Sequence, residues 1–431
     1  MDLLSLAVIA AALLLFSLLS GRLQGSVITA PMVFVGFGFL IGPGGLSIAD
    51  VDPGQSVIHT IAELTLILVL FSDAARIDVK RLRTDHNLPV RMLMFGLPLT
   101  IILGAIVARL MFPSFSLWEA ALLAALLAPT DAALGQSVVT AKEVPVRVRQ
   151  AINVESGLND GIALPAVLLL AALAGGYQES VGAGEWLVFG LLQVTLGPLV
   201  GLAIGYTGGR LLDSAGQRGW ATTSFQGIGI LALALLIFML AELVGGNGFI
   251  AAFIGGMTFG YTVRHRCTFL FEFMETEGQL LMLLTFLVFG AALLPPGLAS
   301  LDLTIFTYAV LSLTLIRMIP IGISLLGAGL RIPTNLFLGW FGPRGLASIL
   351  FVMLILEEAE IVHRSQLFSI IIVTVGLSVL LHGLTAAPFA RRYGTVAGRM
   401  GECEENQPAP EQPLRGGPMT TDTNKQRTSF K

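Results

Sequence analysis

Stretches of about 20 predominantly apolar residues, the length of helix that crosses a hydrocarbon layer, recur along almost the whole of this chain. Thirteen can be marked, at approximately 2–20, 26–42, 56–72, 88–112, 118–139, 149–174, 185–209, 222–243, 246–262, 277–294, 302–329, 335–356 and 366–390. A soluble fold could not hide that much apolar surface: 55% of the 431 residues are hydrophobic and only 12% are charged, about half the usual charged share. Inside a bilayer every backbone polar group must be satisfied by the chain itself, which repeated spans of this length achieve as helices. The sequence therefore specifies an all-α polytopic membrane protein. The first span follows Asp2 rather than a basic stretch and lacks a small-residue cleavage site, so it is expected to be retained as a helix.

The basic residues test the count. With thirteen spans, Arg22, Arg76, Lys80, Arg81, Arg83, Arg91, Lys142, Arg147, Arg149, Arg210, Arg218, Arg264, Arg266, Arg331, Arg391 and Arg392 fall on one side, and only Arg109 and Arg364 on the other. One miscounted span would swap the sides of every later loop and erase this asymmetry. The positive-inside rule then puts the N-terminus outside and the C-terminus in the cytoplasm of the cell (inner) membrane. Residues 1–398 form the transmembrane unit. From 399 to 431 the composition turns polar and proline-bearing, which is expected to be a short disordered cytoplasmic tail. There is no Gly-rich phosphate loop and no room for a soluble catalytic unit. Cys267 and Cys403 lie far apart outside any metal-binding spacing, and a net charge of −3 gives no reason to expect a nucleic-acid partner. No cofactor is expected.

Six spans, a connecting span and six more make the second set inverted relative to the first, a plan that places sites near the membrane midplane on discontinuous helices. The fifth and twelfth spans correspond, and each has a proline near its middle: Pro129 in "LLAPTDAALGQ" and Pro343 in "GWFGPRGLAS". Proline removes a donor and clashes with the carbonyl four residues back. Two discontinuous crossing helices are thus expected, with Asp131 beside one break and Arg344 beside the other. Freed carbonyls at such breaks can ligate cations.

Glu63, Asp131, Glu155, Asp160, Glu242, Arg317 and Arg344 sit at membrane depth. A charge there costs about 2.5–3.5 kcal/mol on the lenient insertion scale, so it pairs or faces water. No motif surrounds Glu63 or Glu242. In the sixth span, "NVESGLNDGIALP", helical geometry puts Glu155 and Asn159 on one stripe and Ser156 and Asp160 on the next. Glu155 and Asp160 point roughly 140° apart, so they serve different partners. Arg317 or Arg344 could neutralise Glu155. Asp160 is left with Ser156 and the broken fifth helix, where desolvation and the nearby Asp131 favour a carboxylate that exchanges its proton. Once deprotonated, the same oxygen-rich cluster suits a hard monovalent cation.

At these residues the chain resembles the monovalent cation/proton antiporter family, specifically its electroneutral sodium/proton exchanger branch. The matching stretches are "PTD" at 129–131, "ESGLND" at 155–160, "LTLIRMIPI", "GWFGPRGLAS" and "LVLFSDAARIDVKRL" at 68–82, within a likeness spanning roughly 5–395. The resemblance implies that Asp160 alternates between proton and cation. Asp131, Ser156 and the main-chain carbonyl of Thr130 would add ligands for Na⁺. It implies a structural network of Glu155, Asn159 and Arg317, with Arg344 as a second family arginine. It also implies a homodimer in which a mobile bundle, about 88–174 and 302–390, moves past a dimer domain. Ala132 departs from the family pattern, which has proline after "TD", and Gly157-Leu158 replaces two bulkier residues. The electrogenic branch carries two adjacent aspartates; Asn159 leaves one, which implies one proton for one cation.

Rival readings fare worse. An intramembrane aspartyl protease using Asp131 and Asp160 would leave the paired breaks unexplained and lacks a GxGD stretch, and no HExxH exists for a metalloprotease. A channel needs a selectivity ring that is not found. A K⁺/H⁺ antiporter on the same fold and a sodium-coupled organic solute symporter stay open as alternatives.

Overall fold

The computed structural model describes residues 3–23, 26–48, 56–77, 87–131, 134–175, 183–263, 268–356, 361–401 and 403–407, and among them there are helices and no strands. In chain order the helices are α1 (Leu3–Leu23), α2 (Ala30–Ile41), α3 (Ser56–Arg76), α4 (Asn87–Met111), α5 (Leu117–Leu126) and the single turn α6 (Gln136–Val139). They continue with α7 (Val146–Ala174), α8 (Ala183–Gln217), α9 (Thr223–Leu243), α10 (Gly248–Val263) and α11 (Thr268–Val288), which runs on through a π-turn into Leu294–Ala299. Then follow α12 (Leu303–Ser324), α13 (Ile332–Trp340), α14 (Leu346–Phe351) and α15 (Arg364–Gly398). Every expected apolar stretch carries helix. Among the described residues, eight helices are long and apolar enough to cross a bilayer by length and composition, and α2, α5 and α10 are shorter apolar helices. The fifth and twelfth stretches are interrupted at Pro129 and Pro343, whereas Pro165, Pro198, Pro320 and Pro388 lie inside helices.

Local chemistry explains where the helices begin. Pro31 sits in the first turn of α2, where a missing N–H costs nothing, behind Thr29, whose side chain accepts from Met32 N–H. Ser116 and Glu119 form a reciprocal capping box on α5. Glu242, without a role in the sequence, caps α10: its Oε1 accepts the Gly248 N–H at 2.7 Å. The "GGN" joint before α10 turns on Gly245, whose φ of +80° only glycine adopts without strain.

Packing sorts the helices into two sets. α4, α5, α7, α12, α13, α14 and α15 pack on one another, while α3, α8, α9 and α10 form a second body and α2 packs on α11. α7 meets the second set through α3 and α10. Lys80, Arg81, Arg83, Ala132, Arg264, Arg266, Cys267 and residues 408–431 lie outside the described residues.

The start of the tail corrects the expectation of disorder from residue 399. Helix α15 ends at Gly398, and Glu404–Asn406 then form a short 3-10 turn. Glu405 is fully buried there, its Oε1 accepting the Arg331 N–H at 2.6 Å and the Thr334 hydroxyl at 3.0 Å. Glu404 pairs with Arg147 at the start of α7. A polar composition forecasts disorder only where the chain has no donors to bind, and here the first turn of α13 supplies them. Burial opposes ionisation of Glu405, but the hydrogen bonds from Arg331, Cys403 and Thr334 outweigh it and hold the pKa below the ordinary glutamate value. A depressed pKa contributes stability above the unfolded-state value and loses it as the pH falls through the folded one. Glu405→Ala is therefore expected to destabilise the protein at neutral pH by about 1–3 kcal/mol, the cost of orphaned buried donors. The gap in apparent Tm between the two proteins should close in acid, as both are followed by thermal unfolding in detergent.

Candidate ion-binding site

The two interrupted spans cross at their breaks. Beyond α5 the chain is non-helical from Leu127 to Asp131, and between α13 and α14 it is extended over 341–345. The Asp131 N–H donates to the Pro343 carbonyl at 2.8 Å. In return the Leu346 N–H, at the start of α14, donates to Asp131 Oδ2 at 2.9 Å. On the other diagonal, Arg344 Nη1 donates to the Ala128 carbonyl at 2.7 Å, just past the end of α5, and Ser348 Oγ donates to the Leu126 carbonyl at 2.7 Å. A carboxylate thus meets the positive end of one half-helix and a guanidinium the negative end of the other, the arrangement helix dipoles favour. Gly345 is obligatory at this crossing, because a Cβ there would overlap the Asp131 carboxylate.

Three side chains that the sequence reading did not single out complete the break. The Arg344 N–H donates to Ser378 Oγ at 2.7 Å. His382 Nε2 lies 3.0 Å from the Trp340 carbonyl and its Nδ1 3.2 Å from Ser378 Oγ. Nδ1 also lies 3.1 Å from the Ser378 carbonyl, so each ring nitrogen faces a main-chain carbonyl. Together with Ser348 these residues replace the backbone bonds that Pro343 and the extended segment forgo. The available signal was "SVLLHG", a serine and a histidine four residues apart on one stripe of an otherwise apolar span.

Around the crossing lies a buried polar network. Arg317 grips Glu155 with both terminal nitrogens, Nη1 to Oε1 at 2.7 Å and Nη2 to Oε2 at 2.9 Å. Both side chains are 1% exposed, so this fork-to-fork pair is shielded from water and competing ions. It decides between the two candidate arginines: Arg317 neutralises Glu155, and Arg344 holds the break. Asn159 Nδ2 donates to Thr130 Oγ1 at 2.5 Å, and Thr130 Oγ1 lies 3.1 Å from Ser156 Oγ. Thr130, Ser156 and Asn159 are all buried, whereas Asp160 is half-buried. Pro129 and Pro343 frame the cluster at the two breaks. The structure joins Thr130, Glu155, Ser156, Asn159 and Arg317 in one network; Asp131 follows Thr130 and engages one oxygen in capping α14, and Asp160 follows Asn159 on α7.

Among the described residues no three His, Cys, Asp or Glu side chains cluster as a metal site. What the crossing offers is hard oxygen, from the Asp131 carboxylate and the Thr130 and Ser156 hydroxyls, with the Asp160 carboxylate on the adjoining stretch of α7. Such a donor set suits an alkali cation.

Comparison with known proteins points the same way. The family model for the sodium/hydrogen exchanger, transmembrane, matches residues 8–392. The K(+)/H(+) antiporter NhaP2 of Shewanella sp. (strain MR-4) is 25% identical over 392 residues, covering 89% of this chain and 66% of that protein. The K(+)/H(+) antiporter NhaP of Alkalimonas amylolytica is 24% identical over 377 residues, covering 87% and 64%. This chain thus spans just under two thirds of the length of these relatives. The sodium proton antiporter MjNhaP1 from Methanocaldococcus jannaschii has the same fold, with a TM-score of 0.75 at 18% identity over 90% of this chain and 96% of that one.

The Glu155–Arg317 pair sets a stability test. Either residue alone replaced by leucine leaves an uncompensated buried charge, expected to cost about 3–5 kcal/mol, whereas replacing both should cost less than either single change. A double-mutant cycle on apparent Tm in detergent reads the coupling.

Proposed function

The chain belongs to the sodium/hydrogen exchanger family, and from that premise we propose that it exchanges a monovalent cation for a proton, one for one, across the membrane. Asp160 is the alternating carrier, and Asp131, Ser156 and the Thr130 main-chain carbonyl complete the cation site. The observation that carries this reading is the disposition of charge on α7. Glu155 is paired with Arg317, Asn159 is a neutral donor inside the buried network, and Asp160 is the acid of this helix that is half-buried rather than sealed. One carboxylate that takes either a proton or a monovalent cation moves no net charge per cycle. The helices α4–α7 and α12–α15 move as the transport bundle past the remainder, which forms the homodimer contact. Basic residues on the Arg147 side place that side in the cytoplasm, with the N-terminus outside.

Na⁺, with Li⁺ as a second substrate, is the cation we assign. The competing K⁺ reading is favoured by the names of the Shewanella and Alkalimonas relatives. Purified protein in liposomes with a trapped pH dye separates them: added Na⁺ or Li⁺ is expected to drive proton flux at lower concentration than K⁺, and the reverse order would transfer the assignment to K⁺. Asp160→Asn is expected to abolish flux with every cation, and an unaffected variant would favour a sodium-coupled solute symporter. Electroneutrality has its own test. A potassium–valinomycin potential at zero pH gradient is expected to leave Na⁺-driven flux unchanged, and strong acceleration would show that charge moves.

A further inference from the structure

The face of α7 that carries Asp160 changes character on either side of it. Ile162 and Leu169, which are exposed, stand about 200° and 180° around the helix from Asp160 at 100° per residue. Asp160 therefore faces away from that apolar outer surface and toward α3 and α10. Two contacts fix this direction: Ile77, at the end of α3, would lie 3.4 Å from a Cβ at Gly157, and a Cβ at Gly161 would overlap the ring of Phe253 on α10.

Toward the Val146 end this face is polar, with Gln150, Asn153 and Gly157 leading to Asp160; Gln150 and Asn153 are buried, while Gly157 and Asp160 are half-buried. Toward the Ala174 end it is dry. Leu164 and Val167 are 0% exposed, Ala171 and Phe253 are each 5% exposed, and all four belong to one apolar cluster with Ile250. A cation or a proton carried on water cannot pass such a contact without opening it, since burying an ion among apolar side chains costs far more than thermal energy.

Building on the assignment of Asp160 as carrier, we propose that Phe253, seated on Gly161, is the gate that closes the route from Asp160 to the Ala174 side, and that the polar face toward the Val146 side is the approach this conformation leaves to Asp160. The absence of a side chain at position 161 is what lets the ring lie directly over the helix, one residue beyond the carrier. Phe253 touches neither cation nor proton; it positions the barrier that makes access one-sided. In the other conformation the bundle slides until Asp160 passes the ring, and the contact at Gly157 and Ile77 becomes the seal.

The test is sided chemistry at position 157. In a background carrying Cys267→Ser and Cys403→Ser, Gly157→Cys is treated with a membrane-impermeant methanethiosulfonate ammonium reagent in right-side-out and inverted vesicles. Labelling is expected only from the side of Arg147. Adding Phe253→Ala is expected to raise labelling from the opposite side several-fold and to produce proton leak in liposomes without a cation gradient. Should Phe253→Ala not fold, as judged by size-exclusion in detergent, Gly161→Ala displaces the ring from the other partner and is expected to give the same opposite-side labelling. Labelling from both sides with Phe253 and Gly161 intact, or none from the opposite side in either folded variant, overturns the proposal. Sidedness is read without transport, so loss of exchange in the unaltered protein would sink the antiport reading and leave the gate to be judged on labelling.

Discussion

The bidentate contact between Glu155 and Arg317 is the interaction on which the rest of the site depends. Burying either charge alone would be costly, and together they pin α7 to α12. With Glu155 satisfied in this way, its neighbours are free to organise a neutral network. Thr130 stands at the centre, receiving Asn159 Nδ2, in contact with Ser156 and within 3.4 Å of Glu155 Oε2. Because Thr130 belongs to the break of the fifth span, the same network holds the unwound backbone beside α7. A buried ion pair is weak evidence for stability as such; its effect here is to hold Glu155 against α12 and leave Thr130, Ser156 and Asn159 to bond one another.

The crossing of the breaks solves a second problem with opposite charges. Unwinding two helices in hydrocarbon strands carbonyls at one end and N–H groups at another. Asp131 answers the stranded N–H of Leu346, and Arg344 answers the carbonyls of Ala128 and Pro129. Each break thus supplies the cap for the other. That reciprocity is why Gly345 must be bare, since the carboxylate at one break lies against the backbone of the other.

Much of this could be read from the chain before any coordinates. Apolar run length located the helical stretches, and paired prolines located both breaks, because span length and proline chemistry are local properties. The stripe arithmetic on "ESGLND" gave Glu155 and Asp160 different partners; Glu155 is buried against Arg317, and Asp160 is half-buried. What remained hidden is set by tertiary contact. Arg317 and Arg344 look alike in sequence, each an arginine next to apolar residues, and only the crossing shows that one meets a carboxylate and the other carbonyls. Asp131 was legible as a charge at a break but not as a cap, since its partner lies 215 positions away. Ser348, Ser378 and His382 were overlooked because small polar residues in a span have many uses. The tail beyond Gly398 misled for the opposite reason: its composition is that of a disordered segment, while Glu405 finds donors in a distant turn.

Under the proposed reading, the gate and the carrier enforce coupling through one desolvation cost. When α7 slides past α10, whatever Asp160 carries must pass the Phe253 ring and Ile250, an apolar surface. Protonated, Asp160 is neutral; bound to a monovalent cation, it is a neutral pair; empty, it is a bare carboxylate. The first two can cross apolar surroundings at modest cost, whereas the effective penalty for an unpaired ion is several kcal/mol. Crossing empty would therefore be rare, and each passage must carry either a proton or a cation. No further device is needed for exchange, because the dry side of the helix discriminates by charge alone. A second titrating acid at position 159 would break this symmetry, since one cation would then leave a charge uncovered. The asparagine there, locked to Thr130 as a donor, keeps both loaded forms equally neutral.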